Sequence, residues 1–131
     1  MTLQQQVSSL ELSRQLKELG VPQKSLWYWV HPSAGWASGN KYKLFPINHL
    51  FKNSLFVVGK DCGISAFTVA ELNNFLPAKI NNGEFRFRKR KKGGYELYYG
   101  REKSIVSFSE NLPNVFAKML IYLLENELIE L

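Results

Sequence analysis

The chain has 131 residues, 45% of them hydrophobic, and a formal net charge of +6, which together suit one basic domain with one core. The longest apolar run, Met119–Leu124, is far shorter than the roughly 20 residues of a membrane-spanning helix, and the first residues lack the pattern of a signal peptide. The single cysteine excludes an internal disulfide, so we expect a cytoplasmic protein in a reducing compartment.

The first predicted elements are a helix and a strand. The segment 8–11 (Ser-Ser-Leu-Glu) fits a capping box with Ser8 as the N-cap, and leucines follow at helical spacing, so we predict a helix over residues 8–19. Residues 25–30 are aromatic and β-branched and predict a strand. Alternation puts Trp27 and Trp29 on one face of it, where we expect them in the core rather than in a ligand cage.

The next part of the chain predicts short pieces of structure. Residues 41–45 are a candidate strand, and residues 46–66 are broken by proline, asparagine and glycine, with a possible strand at 55–58. A second capping box at 68–71 predicts a helix of about nine residues that ends at Leu76, because a proline follows.

From residue 84 onward the hydrophobic pattern has a period of two, which predicts β-strands. Residues 84–88 and 95–99 flank the pair Gly93-Gly94, which is typical of a hairpin. Residues 104–108 predict a third strand after a further turn. These three strands should form an antiparallel meander.

The strongest periodicity lies in the C-terminal part of the chain. Seven apolar residues between Leu112 and Leu124 recur at helical spacing, so we predict a helix over residues 111–126 that covers the meander. Helices against an antiparallel sheet define the α+β class. We therefore predict a single α+β domain over residues 1–131, in which the N-terminal, short middle and long C-terminal helices pack on one face of the sheet.

Few side chains of the sequence could support catalysis or metal binding. The histidines and the cysteine lack zinc-ligand spacing, and the glycines form no phosphate-binding loop motif. A dyad of Cys62 with His49 is arithmetically possible, but no local motif supports it. Most glutamates fall at helix caps or in the C-terminal segment, where solvated positions explain them. We therefore expect no enzyme activity, no metal and no cofactor.

The positive charge is concentrated in one block. Residues 84–103 contain eight Lys or Arg and three Glu, a net charge of +5, whereas residues 104–131 are acidic. Such a block can bind phosphates or an acidic protein face, or it can be a solvated strand face that adds solubility. Trp36 lies in a loop rich in Gly and Ser, and Trp is enriched at interface hot spots. The candidate binding residues are therefore Trp36, Arg86, Arg88, Lys89, Arg90, Lys91, Lys92, Arg101 and Lys103.

The direction of the arginine side chains depends on the hairpin register. A two-residue loop at the glycine pair would put Arg88 opposite an apolar residue of the second strand. A three-residue loop with a bulge would instead join Phe85 and Phe87 to the apolar residues of that strand in one face. We favour the second register because it buries more apolar surface. It predicts a row on the face away from the helices, formed by Arg86, Arg88 and Arg90.

Three stretches occur in order: residues 9–30, which contain LKELGVPQKSLWYWV, residues 67–80 (FTVAELNNFLPAKI) and residues 117–129 (AKMLIYLLENELI). Together they resemble a family of small uncharacterised proteins of bacterial phages, prophages and mobile elements. The matching motifs are caps, strands and core stripes, and they contain no catalytic residue. The basic block and residues 31–66 are outside the resemblance.

The resemblance implies an accessory protein of a mobile element. Some small, non-enzymatic proteins of this kind are anti-CRISPR proteins, which act on host defence. We therefore expect a protein of the bacterial cytoplasm that binds and inhibits a host nucleoprotein machine such as a CRISPR nuclease, through the basic hairpin and the Trp36 loop. The alternatives are a direct RNA- or DNA-binding module and a structural phage protein that oligomerises. The sequence does not indicate an oligomeric state.

Overall fold

The computed structural model describes residues 2–30, 42–47, 63–100 and 105–131, and its elements confirm the α+β class. Three helices accompany two antiparallel sheets in this part of the chain. The elements in chain order are α1 (Leu10–Glu18), β1 (Trp27–Val30), β2 (Lys43–Pro46), β3 (Gly63–Ala66), α2 (Val69–Asn73), β4 (Lys79–Ile80), β5 (Gly83–Lys89), β6 (Tyr95–Tyr99), β7 (Ile105–Ser109) and α3 (Leu112–Glu125). The possible strand at 55–58 lies outside the described residues.

The first sheet has three strands, with β1 between β2 and β3, and all pairs are antiparallel. Side chains of β1 alternate between two clusters, as its period of two predicts. Trp29 is buried, and Trp27 packs beside it in the same cluster. Tyr28 and Val30 are buried on the other face. The prediction that both tryptophans belong to the core is therefore confirmed.

Helix α1 begins at Leu10, two residues after the predicted start at residue 8. Its N-cap is Ser9, whose hydroxyl accepts a hydrogen bond from the backbone N–H of Leu12 at 3.3 Å, so the prediction of Ser8 as N-cap is wrong. The apolar stripe on the helix is confirmed, since Leu16 is fully buried with its neighbours packed beside it. By local chemistry either of the two adjacent serines can cap the helix. Ser8 is fully buried and uses its hydroxyl for other hydrogen bonds, so Ser9 is the cap.

Ser8 is instead a buried junction between the first sheet and the helices. Its backbone N–H donates to the carbonyl of Phe67 at 2.8 Å, and its hydroxyl accepts from the N–H of Phe67 at 3.0 Å. The Ser8 carbonyl accepts from the indole Nε1–H of Trp29 at 3.0 Å. The hydroxyls of Ser8 and Ser13 share a further hydrogen bond of 2.8 Å. These bonds tie β1, α1 and the end of β3 together.

The capping box of α2 is confirmed, but the helix is shorter than predicted. Glu71 N–H donates to the Thr68 hydroxyl, and the Glu71 carboxylate accepts from Thr68 N–H at 2.9 Å. Only the five residues Val69–Asn73 are helical, against about nine predicted. The N–H groups of Phe75 and Leu76 donate to carbonyls three residues back, so the chain leaves the helix through tight turns.

The second sheet has the strand order β4-β5-β6-β7, and its last three strands confirm the predicted meander. The short strand β4 was not predicted. It reaches β5 through Asn81 and Asn82, which have φ values of 48° and 68°. Asparagine tolerates this left-handed region better than most residues and is frequent in two-residue hairpins.

Helix α3 confirms the prediction for residues 111–126 within one residue at each end. It is buried on most of its surface, because β6, β7, α1 and α2 all pack against it. Val115, Met119, Leu120 and Leu123 are fully buried in the main core. The helix therefore covers one face of the meander.

Candidate binding surface

The register of the β5–β6 hairpin decides which way the basic side chains point. Phe85 pairs with Tyr99, Phe87 pairs with Leu97, and Lys89 lies opposite Tyr95. Directly paired residues project on the same side of a sheet. The favoured register, with Phe85 and Phe87 on the same face as Tyr95, Leu97 and Tyr99, is therefore confirmed.

The turn of the hairpin explains this register. Arg90 N–H donates to the Gly94 carbonyl at 3.0 Å, and Gly93 N–H donates to the Arg90 carbonyl at 3.1 Å. Three residues therefore separate the last hydrogen-bonded pair. Gly93 has a φ of 97°, which closes such a loop as a bulge and which only glycine adopts easily. A two-residue turn at the glycine pair would place Arg88 opposite Tyr99, so the observed pairing of Arg88 with Glu96 is shifted by three residues, and an odd shift reverses the faces.

The apolar face of the hairpin packs against α3. The rings of Phe85 and Phe87 lie 6.0 Å and 6.3 Å from the ring of Phe116, and Phe87 stacks on Tyr95 at 5.8 Å. The Tyr99 hydroxyl donates to a backbone carbonyl at 2.8 Å, and burial raises the pKa of Tyr99 to about 12. Leu97 and Tyr99 of the hairpin are thus buried in the main core, with Phe85 and Tyr95 packed against it, whereas Phe87 is 46% exposed.

The opposite face carries the arginines. Arg86 pairs with Tyr98, Arg88 pairs with Glu96, and Glu96 in turn pairs with Phe108 of β7. The Arg90 guanidinium lies 4.8 Å from the centre of the Phe108 ring, so Arg90 reaches the same side. We call these six residues the basic outer face. The predicted arginine row on the side away from the helices is present.

The arginines of this face are held by neighbouring side chains. Arg88 donates to the carboxylate of Glu96 at 3.1 Å, and the Glu96 side chain is only 5% exposed. Arg86 lies 3.9 Å from Glu84, and both of those side chains are exposed. A guanidinium over an aromatic face, as at Arg90, is also attracted to the ring. In this row Arg88 is therefore partly neutralised by Glu96, whereas Arg86 and its neighbour Glu84 stay exposed.

Sequence patterns did not single out Glu96 or Phe108. The general expectation that glutamates occupy solvated positions fails at Glu96, which is buried. Its role could have been found only from the register, because residue 96 faces Arg88 in one pairing and not in the other. Phe108 is 44% exposed. Strand alternation alone does not show whether an aromatic residue is exposed or lies in the core, so the sequence did not indicate this exposure.

The lysines surround the arginine row. Lys89 lies opposite Tyr95, so its side chain starts from the apolar face and not from the basic outer face. Lys91 and Lys92 form the exposed tip of the hairpin. Residues 83–100 contain six basic and two acidic side chains, a net charge of +4. Trp36, Arg101 and Lys103 lie outside the described residues, as do Cys62 and His49.

Within the described ranges, no group of three or more His, Cys, Asp or Glu side chains could hold a metal ion. No helix among those residues is long and apolar enough to cross a membrane. Comparison of the chain with protein-family models, with curated proteins and with solved structures gives no match. The resemblance to phage proteins therefore stays a prediction.

Proposed function

We propose that this protein is a non-enzymatic accessory protein that binds and inhibits a host nucleoprotein machine, of which a CRISPR nuclease with its guide RNA is the leading example. The basic outer face would contact the nucleic acid of that machine. The observation that supports the proposal is the row of Arg86, Arg88 and Arg90 on the meander face opposite α3. Such a row matches a sugar–phosphate backbone in charge and in linear form.

The contacts of two arginines with neighbouring side chains support the same proposal. A guanidinium that is already held in place loses little conformational freedom on binding, which favours affinity. Arg88 is oriented by Glu96, and Arg90 is oriented by the Phe108 ring. The exposed tip, Lys91 and Lys92, adds charge that steers association more than it holds the complex.

A second candidate is direct binding of free RNA or DNA. It is favoured by the presence of Tyr98 and Phe108 on the same face as the arginines. Aromatic rings beside basic groups stack unpaired bases in many single-strand-binding proteins. Binding to free single and double strands at about 150 mM salt separates the two candidates, because an inhibitor that recognises a whole machine needs little affinity for free strands.

The proposal is tested by changing charges that do not hold the fold. A hairpin variant would carry Arg86→Gln, Lys91→Gln and Lys92→Gln. Arg88 should be left intact, because a change there also disturbs the buried Glu96. The matched control carries Lys24→Gln, Lys43→Gln and Lys79→Gln, which remove the same charge from exposed positions elsewhere.

The readout is inhibition of a purified, guide-loaded CRISPR nuclease, together with gel shifts of free strands. We expect the hairpin variant to lose at least about tenfold in inhibition, since it loses up to three phosphate contacts, and the control to keep most of it. Full inhibition by the hairpin variant would overturn the role of the hairpin. A wild-type protein that inhibits nothing but binds free strands would support the second candidate, and one that does neither would overturn both.

A further inference from the structure

A cleft lies between the tip of the β5–β6 hairpin and the beginning of α3. Its volume is about 560 Å³, and Gly93, Gly94, Phe108 and Asn111 contribute to its walls. We call it the hairpin cleft. Pockets of several hundred Å³ are large enough for a small ligand or for one unit of a polymer.

The hairpin cleft is positively charged. Three basic side chains line it, Arg90, Lys92 and Lys118, against one acidic side chain, Glu110. The basic side chains come from the hairpin and from α3. The fold therefore brings together Lys92 and Lys118, which are 26 residues apart in the sequence. The sequence pattern of the basic block did not include Lys118.

Two of the three cations are anchored to the same residue. The Arg90 guanidinium lies over the Phe108 ring at 4.8 Å, and the Lys118 ammonium donates to the Phe108 backbone carbonyl at 3.1 Å. A guanidinium over a ring face does not use its N–H donors on the ring, and an ammonium with one donor used keeps two more. Both groups can therefore bind an anion at the cleft with little reordering.

Phe108 also offers an apolar surface beside these cations, since it is 44% exposed. A base that stacks on an aromatic ring adds to the affinity of a single strand, whatever its sequence. A phosphate next to an unpaired base matches a cationic cleft with an exposed ring. An acidic peptide matches the charge but not the ring, and duplex DNA does not present an unstacked base.

We propose that the hairpin cleft binds a phosphate group of an unpaired nucleic-acid strand, through Arg90 and Lys118, with the adjoining base against Phe108. The inference rests on the proposal that the basic outer face meets nucleic acid. It adds to that proposal a specific site and the requirement for an unpaired strand. One phosphate and one base of the strand lie at the edge of the basic outer face, next to α3.

The test measures binding of a fluorescent oligothymidine of about eight nucleotides, at several salt concentrations from about 50 mM upward. Lys118→Gln should weaken binding by about five- to tenfold and reduce the salt dependence by about one phosphate contact. Lys24→Gln removes the same charge from an exposed position outside the cleft and should change affinity less than about twofold.

Phe108→Leu separates base stacking from general charge. We expect it to weaken binding of the single strand by about fivefold or more, because the stacking surface for the base is lost. Binding of a duplex of equal length should change less than about twofold. Circular dichroism spectra of Lys118→Gln, Lys24→Gln and Phe108→Leu check that each variant retains the fold.

Equal losses in Lys118→Gln and Lys24→Gln would overturn the hairpin cleft while leaving the role of the hairpin intact. No binding of the wild-type protein to oligothymidine at about 50 mM salt would also overturn it, although nuclease inhibition could still be observed. An oligoglutamate peptide that competes as well as unlabelled oligothymidine would overturn the assignment to nucleic acid.

Discussion

Arg88→Gln should destabilise the protein although Arg88 is half exposed. The Arg88 side chain is 56% exposed and donates at 3.1 Å to Glu96, whose side chain is 5% exposed. A hydrogen bond between charged groups contributes about 1.5–3 kcal/mol. Water can partly replace the guanidinium at an exposed site, so we expect a loss in the lower part of that range, about 2 kcal/mol. For a domain of this size, 1 kcal/mol corresponds to roughly 3 °C, which gives a drop in Tm of about 6 °C.

Urea and thermal unfolding followed by circular dichroism measure this effect. The matched control is Arg86→Gln, because Arg86 lies 3.9 Å from Glu84 and both side chains are exposed. Such a pair contributes at most about 1 kcal/mol, so the control should unfold within a few degrees of the wild type. A double-mutant cycle with Glu96→Gln should give a coupling energy of about 1–2 kcal/mol. Equal stability of Arg88→Gln and Arg86→Gln, or no coupling, would refute the reasoning.

Further predictions concern the core. Ser8→Ala should lower the free energy of unfolding by about 1–3 kcal/mol, because the buried N–H of Phe67 loses its hydroxyl acceptor, and urea unfolding measures this. The pKa of Tyr99 is 10.0 in the unfolded chain and about 12 in the folded protein, so the unfolded state loses its proton first as the pH rises. The free energy of unfolding should therefore fall by about 2 kcal/mol between these two pH values. This loss should be absent in Tyr99→Phe. Gly83→Ala should reduce Tm by several degrees, since its Cβ would lie 2.9 Å from the backbone nitrogen of Gly100, and a variant as stable as the wild type would contradict this.

Local sequence signals predicted the elements that carry their own chemistry. Thr68 and Glu71 form the predicted capping box, and the apolar repeat before Glu125 defines α3 almost to the residue. Strands whose hydrophobic residues show no clear alternation were not predicted from the sequence. Strand β3 (Gly63–Ala66) is four residues of small and mixed character, and it is a strand because β1 pairs with it. Short strands of that kind depend on their partners more than on propensity.

The candidate surface shows the same division between local and tertiary information. The concentration of positive charge between Arg86 and Lys92 is visible in the sequence, and so are the two alternative registers. The choice between them followed from the requirement that one face be apolar, which is a statement about packing. The pairing of Arg88 with a buried Glu96 and the approach of Lys118 to Phe108 connect different elements, and no local pattern indicates them.

The amino-acid sequence by itself determined the class of this protein, its main helices, its meander and its basic hairpin, because caps, periodicity and turn residues act within a few positions along the chain. Only the tertiary structure decided what the basic side chains face. The packing of the apolar hairpin face on α3 fixes the register, and the register turns Arg86, Arg88 and Arg90 outward. The same packing brings Lys118 beside the hairpin tip, because contacts between distant residues form only when the core closes.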